Sequence, residues 1–96
     1  MRFSDALEEC IKGKKITRRD WNGKGMYVYY VRPHKVFVEN WTQDVGTADD
    51  LTDSERLRGY AEIAGHFDMY NAQGIRIIGW VASQTDLASD QWVVLE

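Results

Sequence analysis

The segment Met26-Tyr27-Val28-Tyr29-Tyr30-Val31-Arg32 constrains this chain more than any other, because nearly every position is aromatic or β-branched. Such residues favour an extended, pleated backbone, and a strand apolar on both faces needs cover on both sides. Just before it, Asn22-Gly23-Lys24-Gly25 is a turn signal, and 15–19 has strand alternation, so a hairpin joins the two runs. Cover on the second side comes either from a subunit interface or from core packing under a long loop.

Around this hairpin the other elements take their places. Ala6, Leu7, Cys10 and Ile11 recur at helical spacing behind Ser4, a good N-cap, and Gly13 is placed as a left-handed stop. Pro33 breaks the central run, and 35–41 resumes strand alternation. A polar stretch follows, and 53–64 has the composition of a weak helix, with Leu57, Tyr60 and Ala61 at helical spacing and Gly59 lowering the propensity. Then come strands at 67–70 and 75–81 around a turn at Ala72-Gln73-Gly74, an irregular 82–90 segment, and a last strand at 92–95. The expectation is an α+β fold: an N-terminal helix packed on an antiparallel sheet of about five strands, with a second short helix in the central insert. No linker-like tract divides residues 1–96, which read as a single ligand-binding domain.

Four Trp, five Tyr and three Phe must mostly be buried in the core or in an interface for a chain this small to be stable. The single cysteine, Cys10, excludes an intramolecular disulfide, and no apolar run is long enough for a signal peptide or a membrane span, so the expected location is cytoplasmic with no membrane partner. A net charge of −3 argues against a nucleic-acid polymer as partner, since holding many phosphates takes an excess of cations. A short anionic ligand remains compatible. Lys12, Lys14, Lys15, Arg18, Arg19 and Lys24 crowd the first quarter, and Asp44, Asp49, Asp50, Asp53 and Glu55 crowd the middle.

Two segments carry chemistry. Arg18-Arg19-Asp20-Trp21-Asn22-Gly23-Lys24-Gly25-Met26 combines cations, an aromatic plane, a carboxamide and two glycines, which suits a planar phosphorylated ligand. The same residues also describe a β-turn with a core Trp and solvated basic side chains. In Gly79-Trp80-Val81-Ala82-Ser83-Gln84-Thr85-Asp86-Leu87, four consecutive hydrogen-bonding side chains follow an apolar run and must face water, cap a turn or bind something. Ser83 and Asp86 fit a capping box around a short helical turn; a base or ribose would use the same hydroxyls, carboxamide and acid.

Catalysis is not expected. Ser83, His66 and Asp86 could be drawn as a triad, but no nucleophile-elbow motif surrounds Ser83. Cys10, His34 and His66 lack metal-ligand spacing, and there is no Walker or dinucleotide fingerprint, so neither metal nor cofactor is expected.

Taken together, Phe3-Ser4-x-Ala6-Leu7-Glu8, Gly13-Lys14-Lys15-Ile16-x-Arg18-x-x-Trp21-Asn22-Gly23-Lys24-Gly25-Met26 and Gly79-Trp80-x-Ala82-Ser83-Gln84-Thr85-Asp86-Leu87 with Trp92 resemble a small phage and prophage family, the second type of Thoeris anti-defence protein. The resemblance covers the first 26 residues and roughly the last 30; the stretch 33–65 lies outside the motifs that carry it. It implies a homotetrameric sponge that sequesters cyclic ADP-ribose-type signals, in some members also cyclic oligonucleotides, without cleaving them. Carried over by position, it implies that Trp21 and Trp80 are aromatic walls, that Asn22 and Lys24 lie beside the pocket, and that Ser83, Thr85 and Asp86 contact polar groups of the ligand. Arg18 joins the candidate set as a phosphate partner. The competing expectation is a protein-interaction module that blocks a host defence protein through 27–31 and the acidic middle.

Overall fold

A computed structural model describes residues 1–95 and divides the chain into two compact units, Met1–Val31 with His66–Glu96, and Arg32–Gly65 between them. In the first unit, helix α1 (Phe3–Ile11) precedes strands β1 (Lys15–Arg18) and β2 (Tyr27–Val31). After the central unit come β5 (His66–Tyr70), β6 (Arg76–Ile77), helix α4 (Gln84–Ala88) and β7 (Trp92–Leu95). The five strands form one sheet in the order β6-β5-β2-β1-β7, with every neighbour antiparallel. The fold is therefore α+β with an N-terminal helix on a five-stranded antiparallel sheet, as the hydrophobic pattern requires.

The core lies between α1 and one face of this sheet. Ala6 and Cys10 on α1 pack with Ile16, Val28, Met69 and Trp92, all buried. Because side chains alternate along a strand, β2 sends Val28 and Tyr30 to that core and Tyr27 and Tyr29 to the opposite face. There, Tyr27 stacks on Tyr70, its cross-strand neighbour, with ring centroids 5.1 Å apart. Arg76 lies 5.1 Å from the Tyr29 ring and 5.2 Å from Tyr70, and Lys15 lies 4.6 Å from Tyr27. Cations over aromatic faces thus supply part of the second cover that the β2 sequence demands.

Local departures from the sequence reading have identifiable causes. Helix α1 starts two residues earlier than a Ser4 cap allows, with Arg2 at the extended N-cap position; its end is as expected, since Gly13 takes φ 108°. The expected strand 75–81 shrinks to Arg76–Ile77, because the chain turns away at Gly79 (φ 81°) while Trp80 N–H still bonds Phe67 C=O. Within 82–90 a helical turn, α4, replaces an irregular loop.

The central unit pairs β3 (His34–Phe37) with β4 (Tyr60–Ile63) as an antiparallel ribbon, and carries α2 (Val38–Asp44), a short 3₁₀ turn (Ala48–Asp50) and α3 (Asp53–Arg58). Two expectations are corrected here. The strand 35–41 ends at Phe37 and continues as α2, and the helix 53–64 ends at Arg58, where Gly59 (φ 90°) closes it and Tyr60 begins a strand. The start of α3 is a capping box: Thr52 Oγ1 accepts from Glu55 N–H and Glu55 Oε1 accepts from Thr52 N–H at 2.9 Å. Leu51 and Ala61 are its buried apolar residues. No helix among the described residues is long and apolar enough to cross a membrane.

Candidate functional site

The site assembles around one carboxylate. Ser83 takes an extended conformation and its Oγ accepts from Asp86 N–H, while Asp86 Oδ2 accepts from Ser83 N–H at 2.9 Å, so the two cap α4 reciprocally. The other oxygen, Oδ1, accepts from Arg18 Nη1 at 2.7 Å and from Trp21 Nε1 at 3.2 Å. The Asp86 carbonyl accepts from Trp92 Nε1 at 2.9 Å. One residue therefore ties together the end of β1, the turn beyond it, α4 and β7. The pairing of Arg18 with Trp92 across β1 and β7 makes this possible, since it brings the last residue of β1 level with the first of β7.

Asp86 is 7% exposed, and its charge is balanced in place. Burial alone raises a carboxyl's pKa, but the bonds from Ser83 N–H, Arg18 and Trp21 outweigh it and hold Asp86 below the ordinary carboxylate value. Arg18 has a second carboxylate, with Nε and Nη2 donating to the two oxygens of Asp20 at 3.0 and 2.7 Å. Its pKa is raised by Asp20 first and Asp86 second. A guanidinium held by two carboxylates is not an open phosphate clamp.

Beneath this network sits an aromatic cluster. Trp92 is fully buried, with Phe3 and Trp21 centroids both 5.2 Å away, Trp21 edge-on, and Trp80 6.2 Å away, also edge-on. Trp21 and Trp80 are half-buried, so each is fixed on one side and open on another. Ser83, Gln84 and Thr85 are exposed along the start of α4, with the Ser83 and Thr85 hydroxyls 3.0 Å apart.

The structure thus brings Arg18, Trp21, Trp80, Ser83, Thr85 and Asp86 into one neighbourhood although two sequence blocks supply them. Asn22 and Lys24 are exposed in the turn that follows Trp21 and take no part in the network just described. His66 Nε2 lies 3.4 Å from Asp68 Oδ1, while Ser83 Oγ and the Asp86 carboxylate are committed to the cap, Arg18 and Trp21. Two contributors were not among the candidate site residues: Asp20, whose signal was its position two residues from Arg18, and Phe3, which entered only as part of the motif carrying the resemblance.

Comparison with known proteins completes the description. The sequence model of the Thoeris anti-defense 2-like domain matches residues 1–95. A curated relative, the protein named Thoeris anti-defense 2 of Bacillus phage SP01, is 25% identical over 100 residues, which cover 99% of this chain and 94% of the relative. The match runs through the Trp21 turn, the central unit and α4 alike, and with it the chain belongs to the Thoeris anti-defense 2-like family, a family of phage anti-defence proteins.

Proposed function

We propose that this protein disarms a bacterial defence by capturing a small cyclic nucleotide signal, of the glycocyclic ADP-ribose type or a cyclic oligonucleotide, and holding it uncleaved in the host cytoplasm. The observation that carries this reading is the pinned Trp21 ring, fixed by Asp86 and Trp92 next to the exposed Ser83 and Thr85 hydroxyls. A rigid stacking surface beside hydrogen-bonding groups loses little entropy on binding, which is what stoichiometric capture with slow release needs. With Arg18 neutralised by two carboxylates, Lys24 and Asn22 are the free polar side chains of the turn for a phosphate or ring edge. The carboxylate that a triad would use is already occupied, which supports binding rather than hydrolysis.

The reading includes a homo-oligomer, a tetramer by family resemblance. Ile75, Ile78 and Val81 are 59, 69 and 84% exposed, apolar surface of the kind an assembly covers. Calorimetric titration with glycocyclic ADP-ribose isomers and cyclic di- and trinucleotides, followed by heating and mass analysis of what is released, tests it. Tight binding with intact release is expected. No binding across the panel would favour the interaction-module reading instead, to which the exposed Phe37 and Leu57 of the central unit lend support.

A further inference from the structure

We infer that Asp86 is a positioning residue that never touches the captured ligand, and that it acts by fixing the Trp21 ring. This rests on the capture reading above and deepens it, since by family resemblance alone Asp86 stands among the residues in contact with ligand polar groups. Geometry argues otherwise. The side chain is buried, Oδ1 already accepts two hydrogen bonds and Oδ2 a third, and all three donors belong to the protein. Three of the carboxylate's roughly four acceptor positions are filled and the side chain is 9% exposed, so little of it is left for a ligand hydroxyl or amine unless Arg18, Trp21 or the cap of α4 is displaced. Displacing Arg18 would leave the buried Asp86 charge without its cation, and displacing Trp21 or the cap would give up a hydrogen bond to an ionised acceptor, so a new contact returns little.

What Asp86 does control is the direction of Trp21. An indole has one N–H, and its bond to Oδ1 together with the edge-on contact to Trp92 fixes the ring's rotation about its side-chain bonds. Arg18 is drawn to the same oxygen and closes the arrangement from the β1 side, with Asp20 holding its other edge. The ligand then meets a wall already in place, and the residue responsible lies behind the wall.

The test combines a spectroscopic and a binding readout on the full chain with three variants: Asp86→Asn, Trp21→Phe and the double variant. In Asp86→Asn, the Trp21 indole N–H resonance is expected to shift, because its ionised acceptor is gone, while the Trp92 resonance stays, because its acceptor is the backbone carbonyl. Affinity for a glycocyclic ADP-ribose probe should fall about tenfold or more in Asp86→Asn, and the further loss on adding that change to Trp21→Phe should shrink to about threefold or less, since residues acting through one another are not additive. Additive losses would mean that Asp86 contacts the probe itself and would overturn the inference. An unmoved Trp21 resonance, or one that moves together with Trp92, overturns it as well, the latter by showing a general loss of packing. The indole readout needs no ligand: should the parent protein bind no probe, the capture reading falls and the positioning of Trp21 by Asp86 is still decided.

Discussion

Replacing Trp92 with Phe tests how the main unit is held together. Trp92 is fully buried, touches Phe3, Trp21 and Trp80, and donates its indole N–H to the Asp86 carbonyl at 2.9 Å. Phe keeps a ring but removes the donor, leaving a buried carbonyl without that partner, at a cost of about 1–3 kcal/mol. The smaller ring also vacates space among three aromatic neighbours, worth about 1–2 kcal/mol for the atoms removed and the gap they leave. Together the loss is about 3 kcal/mol, against a total stability on the order of 5–14 kcal/mol for a chain of this length. At roughly 4–8 °C per kcal/mol in a small domain, Tm should fall by about 12–24 °C. Near-UV circular dichroism is a suitable probe because Trp21, Trp80 and Trp92 all lie in this unit and only Trp41 lies in the other. A melt within about 3 °C of the parent would refute the reasoning, since the indole bond and the packing would then both be dispensable.

Further outcomes follow from other features. Gly23→Ala should destabilise by about 1–3 kcal/mol in a denaturant melt, because a Cβ there would stand 2.6 Å from Met26 Sδ and 2.7 Å from the Ala72 methyl, inside any permitted contact. Cys10 is buried and burial pushes its thiol up to about 11, so alkylation at neutral pH should be far slower in the native protein than in denaturant; equal rates would place the thiol at the surface. Asp86 has a lowered pKa when folded, so its contribution to stability is complete above the unfolded carboxyl value near 3.8 and is lost as pH falls from there through the folded value. Melts recorded from pH 5 to pH 2 should therefore decline less steeply in Asp86→Asn than in the parent, and identical slopes would sink the claim.

Much of the main unit was legible because its signals are local. Helix α1 shows its apolar spacing and its Gly13 stop, the Asn22-Gly23 turn announces the hairpin, and β7 is a short apolar run. The central unit was harder. Alternation through Val36, Val38 and Asn40 fits a strand as well as anything else, and in Val-Glu-Asn-Trp-Thr-Gln-Asp only Glu39 and Gln43 are good helix formers, so where β3 gives way to α2 is set by pairing with β4 rather than by propensity. The end of α3, by contrast, was available: Thr52 with Glu55 at its start, basic residues in its last turn and Gly59 after them mark a short helix on both sides. At the site, residue types suggested a neighbourhood but not a direction. Whether Asp86 faces outward or in toward Arg18 and Trp21 depends on the β1–β7 register, which relates residues more than seventy positions apart, and no local pattern encodes that.

The strand order also has a consequence in time. β1 pairs on one side with β7, more than seventy residues later in the chain, and the Met1 carbonyl accepts a hydrogen bond from Trp92 N–H. During synthesis the main core therefore cannot close until β7 has left the ribosome, whereas the Arg32–Gly65 unit, built from neighbours in sequence, has all its parts much earlier. Ribosome-bound chains halted before Trp92 should leave the Trp21 and Trp80 indoles wet, and a single late step then completes the hydrophobic core and the Asp86 network together.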